Sequence, residues 1–196
     1  MNIRLAGWIV LGGVAALGLL WLLRPAPTLE LPAQGTDQAT TRPAPASKER
    51  NFPAAPRFTL KDYEGNDVSR ADFAGQPLII NSWATWCPFC TEELPDFAEI
   101  ADEFSDQVSI VAINRGEPRQ TAKDWTDVYR LTDRITFLLD PTDAWYEAIG
   151  GFGMPETLFI DGDGHVRFHA RGPIIKEEFR RLVAALIDGT LGTEAE

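Results

Sequence analysis

The sequence predicts an α/β domain with a mixed β-sheet, on three observations. Short apolar runs of strand length alternate with segments whose apolar residues recur at spacings of three and four. Near the C-terminus two strand-like runs, Thr157–Ile160 and Val166–Phe168, are separated only by the turn Asp161-Gly162-Asp163-Gly164, so a hairpin must join strands otherwise linked by helices. The only cysteines of the chain, Cys87 and Cys90, fall where one strand gives way to one helix.

Residues 1–4 are a short N-terminal segment. Leu5 to Leu23 is an uncharged stretch of 19 residues. As a helix it would be roughly 28 Å long, close to the hydrocarbon thickness of a bilayer. Trp8 and Trp21 stand near its ends, where interfacial indoles are favoured, and no small-residue cleavage site follows Leu23. It reads as an uncleaved transmembrane anchor. Residues 24–50 are rich in Pro, Ala, Thr and Gln and poor in large apolar residues, the composition of a flexible tether. The folded domain is expected over residues 51–188, with a disordered tail at 189–196.

Within that domain, Phe58–Leu60 and Val68-Ser69 flank a Gly-containing turn and read as a hairpin. Pro77–Trp83 is a continuous apolar run and reads as a buried strand. After the cysteines, Leu94, Phe97, Ile100, Ala101 and Phe104 mark the apolar stripe of a helix from Thr91 to Phe104. Strands follow at 107–113 and 135–139, with a helix between them at 118–131 and a short one at 143–149. A last amphipathic helix runs from Glu177 to Ile187 and stops at Gly189. Asp161–Gly164 lacks the twelve-residue spacing and terminal Glu of a calcium loop and is read as a hairpin turn.

A formal net charge of −11 argues against a nucleic-acid partner, which needs a basic surface. Two cysteines are too few for a disulfide-stapled scaffold. A structural disulfide across so short a loop would constrain the unfolded chain little. A zinc site needs four ligands, and the only histidines, His165 and His169, lie on an expected surface strand. The remaining reading is redox chemistry. A thiolate at Cys87 is favoured by the free N–H groups and dipole of the helix start, and Cys90, one turn inside, is placed to resolve a mixed disulfide.

Residues 81–90 (NSWATWCPFC), with Glu93, Pro95 and the later Gly153-Met154-Pro155-Glu156-Thr157, resemble the membrane-anchored thioredoxin-like proteins of the TlpA, ResA and CcmG (DsbE) type, most closely the CcmG branch. The resemblance covers about residues 52–188 and implies a thioredoxin-like fold with helices on both faces of the sheet. It implies Cys87 as attacking thiolate, Cys90 as resolving thiol and Glu93 as the acid that assists proton transfer. Asn81 stands where thioredoxin carries a buried Asp, which leaves Glu93 as the proton acceptor. It also implies Pro155 as a cis-proline facing the disulfide, Met154 pairing its backbone with an extended substrate, and Trp86, Pro88 and Phe89 completing the substrate surface. Pro95 would lie inside the active-site helix.

The function expected is disulfide reduction outside the cytoplasm, on a protein disulfide such as that of apocytochrome c, with a membrane donor re-reducing the protein. No cofactor beyond the Cys87–Cys90 disulfide and no metal is expected. The rivals are an oxidase or isomerase for secreted disulfides, an anchored peptide-binding module, and a peroxidase. The peroxidase would want a Thr three residues before the reactive cysteine and a supporting Arg, whereas Thr85 is two before Cys87 and no such Arg is evident in the sequence.

Overall fold

Among the described residues seven strands form one sheet in the order β2-β1-β5-β4-β3-β6-β7. The computed structural model describes residues 52–193, so the apolar stretch 5–23 and the segment 24–50 lie outside the described residues. Among the described residues no helix is long and apolar enough to cross a membrane.

In chain order the strands are β1 (Thr59–Asp62), β2 (Asp67–Ser69), β3 (Leu78–Trp83), β4 (Ser109–Arg115), β5 (Thr136–Asp140), β6 (Glu156–Ile160) and β7 (Val166–Arg171). The helices are α1 (Pro88–Glu103), α2 (Arg119–Val128), α3 (Ala144–Ala148) and α4 (Lys176–Ile187), with a 3₁₀ turn at Arg70–Phe73. β3, β4 and β5 run parallel, each joined to the next by a crossover helix. β6 returns antiparallel to β3 and forms the hairpin with β7, while β1 and β2 close the other edge antiparallel.

β3 is the centre of this arrangement. Every residue of it is buried, because β4 and β6 pair with its two sides and helices and loops cover both faces. The strand period of two then sorts its side chains. Ile79 and Trp83 enter a core with Leu94, Phe97, Phe159 and Phe179. Leu78 and Ile80 enter a second core on the opposite face, with Phe58, Val111, Ile113 and Trp145. α1 and α4 lie together on the first face, with Phe97 and Phe179 stacked at 3.6 Å. Arg180 pairs with Glu103, and Lys176 with Asp96 and Glu99, along the exposed seam.

The mixed sheet agrees with the sequence reading, and the boundaries differ in informative ways. α1 starts at Pro88 with Cys87 as its cap, in line with the reading that put Cys87 at the helix start, and so begins three residues before the stretch that apolar spacing marks from Thr91. It runs unbroken through Pro95. β7 reaches Arg171 and not Phe168, since His169 and Ala170 continue the pairing with Leu158 and Thr157. The turn at 161–164 is a hairpin turn as read: Asp161 accepts the N–H groups of Asp163 and His165, and Gly164 takes a φ of +88°.

Candidate functional site

The site forms where β3 ends and α1 begins. Cys87 is the N-cap of α1, and its Sγ accepts the backbone N–H of Cys90 at 3.2 Å. The two cysteines are joined by a disulfide, their Cα atoms 5.3 Å apart. Cys90 is wholly enclosed and Cys87 retains a small exposed edge. Sulfur at position 87 therefore sits against the positive end of a sixteen-residue helix and on the solvent side of the pair.

Behind the cysteines lies Glu93, one turn further along α1 and only 4% exposed. Its Oε1 accepts Nδ2 of Asn81 at 2.8 Å, and its Oε2 accepts the N–H of Ile174 at 3.0 Å. Burial pushes its pKa up to about 7 against the pull of those two hydrogen bonds. Asn81 Nδ2 also reaches Thr157 Oγ1 at 3.0 Å.

In front of the disulfide opens a groove of about 440 Å³, lined by Trp86, Cys87, Pro88 and Phe89 on one side and by Phe152, Gly153 and Met154 on the other. The Met154–Pro155 peptide is cis. Trp86, Phe89 and Phe152 are 63%, 54% and 89% exposed, an aromatic rim around a buried sulfur pair. All the residues singled out from the sequence thus fall in two adjoining places. Trp86, Pro88, Phe89 and Met154 border the groove with Cys87, Glu93 follows Cys90 by one turn of α1, and Pro155 carries the cis bond between Met154 and β6.

Four further residues shape the site and were given no role from the sequence. Arg115, at the end of β4, lines the groove. Its guanidinium pairs with both carboxylate oxygens of Asp143 at 3.0 and 2.7 Å, covers the Tyr146 ring at 3.4 Å and donates to Met154 Sδ at 2.9 Å. Tyr146 donates its hydroxyl to the carbonyl of Gly153 at 2.9 Å. Glu156, fully buried, accepts the N–H groups of Phe152 and Gly153 at 2.6 and 2.9 Å and meets His169 Nε2 at 2.7 Å. Burial would raise its pKa, but those N–H groups and His169 outweigh burial and hold it below the usual carboxylate value. Glu117 ties the loop before the cysteines to β4, accepting from the N–H of Thr85 at 2.8 Å and from Asn114 at 2.7 Å.

Two expectations change here. His169 is a half-buried partner of Glu156 and not a surface strand residue, because β7 extends far enough to carry it over β6. An arginine does reach the groove, although none was evident in the sequence. Arg115 is already paired with Asp143, however, and the Thr85 hydroxyl is bonded to Glu117. Among the described residues no cluster of three or more His, Cys, Asp or Glu side chains could hold a metal ion.

A CxxC disulfide capping a helix, at the C-terminal end of a central parallel strand and opposite a cis-proline, defines a thioredoxin-like thiol-disulfide exchange protein. The AhpC/TSA family profile matches residues 53–169, and the chain belongs to that family. It is similar to the thiol-disulfide oxidoreductase ResA of Geobacillus thermodenitrificans, 33% identical over 128 residues, which are 65% of this chain and 72% of that one. It is also similar to the thiol:disulfide interchange protein DsbE of Vibrio cholerae, 30% identical over 138 residues, 69% of this chain and 73% of that one. Among solved structures, a thioredoxin-family thiol:disulfide interchange protein from Chlorobium tepidum superposes with a TM-score of 0.63 at 27% identity, over 69% of this chain and 97% of that one. StoA from Bacillus subtilis gives 0.57 at 28% identity, over 66% and 98%. The protein is a thiol-disulfide oxidoreductase of the ResA and DsbE kind.

Proposed function

We propose that the chain is a membrane-tethered, extracytoplasmic disulfide reductase working through the Cys87/Cys90 dithiol. The observation that carries this reading is the buried Glu93 on the turn after Cys90, with its proton poised near pH 7. The reduced Cys87 thiolate, favoured by the helix start, attacks a disulfide of the partner protein. One partner sulfur leaves as thiolate and a mixed disulfide forms at Cys87. Cys90 then gives its S–H proton to Glu93, and its thiolate displaces the second partner sulfur from Cys87. The partner leaves as a dithiol, and the protein is left with the Cys87–Cys90 disulfide. Two electrons from a membrane donor restore the dithiol.

The aromatic rim and the Met154 backbone supply the substrate surface, with Trp86, Pro88, Phe89, Met154 and Pro155 around the attacked sulfur. The uncharged stretch from Leu5 to Leu23 supports the anchor, and the similarity of residues 81–90 and 153–157 to the CcmG branch supports apocytochrome c as the partner. Localisation outside the cytoplasm follows from that same reading, since a tethered dithiol serves where a general reductant is lacking.

The test is the equilibrium redox potential of the Cys87/Cys90 couple, measured against dithiothreitol or glutathione. A value at or below roughly −270 mV is expected of a dedicated reductant. A value near roughly −120 mV would replace the assignment with an oxidase for secreted disulfides. A Cys87→Ala chain that still complements the biological defect would leave only an anchored binding module.

A further inference from the structure

The hydrogen bonds around Glu93 are one-sided. Oε2 faces the backbone N–H of Ile174 at 3.0 Å, a group that donates and cannot accept. A proton arriving on Oε1 would meet the Asn81 side-chain amide, which hydrogen-bonds that oxygen. Oε1 faces Asn81 Nδ2 at 2.8 Å, again a donor. The same Nδ2 gives its other hydrogen to Thr157 Oγ1 at 3.0 Å, while Asn81 Oδ1 is buried with no hydrogen-bond partner among the described residues. As arranged, the amide gives the carboxylate an N–H and offers a proton on Oε1 no acceptor. The charged groups on the neighbouring elements are engaged elsewhere: Glu156 of β6 with Phe152, Gly153 and His169, and Lys176 of α4 with Asp96 and Glu99. Cys87 and Cys90, on Glu93's own helix, are tied in the disulfide.

The two ends of a carboxamide are nearly isosteric and opposite in hydrogen-bonding character. Turning the Asn81 amide over would place Oδ1 where Nδ2 stands. There it could accept both the Glu93 O–H and the hydroxyl hydrogen of Thr157, a group that donates as readily as it accepts. One end of the amide lacks a partner in either orientation, so neither is favoured on that count. We infer that Asn81 is a positioning residue that follows the proton on Glu93 by reversing its side-chain amide, offering an N–H to the carboxylate and a carbonyl oxygen to the acid. The inference rests on Glu93 being the proton acceptor for Cys90, and it assigns Asn81 and Thr157 a part in that transfer. As the Cys90 S–H proton moves to Oε1, the amide turns and holds it there.

The test uses isotope-labelled, oxidised full chain in detergent. The Asn81 side-chain NH₂ signals and the Glu93 carboxyl carbon are followed by NMR across two pH units on either side of about 7. Both should move with a single midpoint, and the Asn81 N–H signals should lose their hydrogen-bonded shift as Glu93 gains its proton. Glu93→Gln supplies the locked state. Its carbonyl oxygen would take the Ile174 N–H and its NH₂ would face Asn81, so the Asn81 signals should be pH-independent and match the low-pH wild type. Asn81 N–H signals that stay hydrogen-bonded through the Glu93 midpoint, or that match the high-pH form in Glu93→Gln, would overturn the inference. The rate of disulfide exchange in Glu93→Gln separates the underlying reading: an unchanged rate would remove Glu93 as the base, whatever the amide does.

Discussion

Glu93 links the chemistry of the site to the stability of the fold. An unfolded Glu ionises near 4.5 and the folded one near 7. Between these values the native chain holds a proton that the unfolded chain has lost, so Glu93's contribution to the free energy of unfolding falls as pH rises through that window and is level outside it. The difference in pKa corresponds to about 3 kcal/mol. Urea unfolding of the oxidised protein should show this loss between the two ends of the window, and Glu93→Gln should abolish it. The same substitution should slow exchange by on the order of 10²-fold near neutral pH, the usual worth of a positioned general base. Stopped-flow exchange would show it, together with loss of the rate inflection near pH 7. Asn81→Asp would set two carboxylates within hydrogen-bond distance, where they cannot both ionise freely. The pair should titrate in two steps, one above and one below the wild-type midpoint, readable from the carboxyl carbons.

At the scale of elements, the segment between α3 and β6 shows how a substrate surface is held rigid by buried polar groups. Phe152 and Gly153 give their N–H groups to Glu156, Gly153 accepts from Tyr146, and Met154 meets Arg115. Removing the Glu156 carboxylate takes the shared acceptor from the Phe152 and Gly153 N–H groups and the partner from His169, hydrogen bonds to a charged group being worth up to about 1.5–3 kcal/mol each. Glu156→Ala should therefore raise KM for a peptide disulfide with little change in kcat, and lower the melting temperature. Glu156→Gln keeps an oxygen for the amides and an NH₂ for His169, so it should restore most of both, by steady-state kinetics and calorimetry. This clamp was only partly legible in the sequence. β3 could be read because its whole length is buried, and α1 because its apolar stripe is regular. Pro155 and Met154 came from a motif. Arg115 and Asp143 are 28 residues apart, and Arg115 and Met154 are 39 apart, so their meeting follows from the order of β5, β4, β3 and β6 in the sheet. No local period of two or three and a half residues carries that information. Glu156 stood inside the quoted motif, yet its role depends on the loop folding back over it and on His169 from β7.

At the scale of the whole molecule, the two faces of the site assign different work to the two cysteines, and that asymmetry can be tested without knowing the partner. Cys87 edges the groove, where the rim aromatics Trp86, Phe89 and Phe152 can cover an incoming chain, while Cys90 is wholly buried. A partner sulfur can therefore reach Cys87, and only Cys87 can hold it. In the full chain, Cys90→Ser should stop the reaction at the mixed disulfide and accumulate a covalent adduct that dithiothreitol dissolves. Cys87→Ser should accumulate none, because the remaining thiol is buried and lacks the helix-start N–H groups that favour its thiolate. Adding Phe152→Ala to the Cys90→Ser chain should slow adduct formation several-fold without changing the melting temperature, since that ring is almost wholly exposed and contributes to docking more than to the core. Non-reducing gels of extracts from cells expressing each variant would resolve the three cases. Equal adduct from both single-cysteine variants would show that the burial of Cys90 does not set the direction of attack, and the order of steps derived from it would have to be reversed or abandoned.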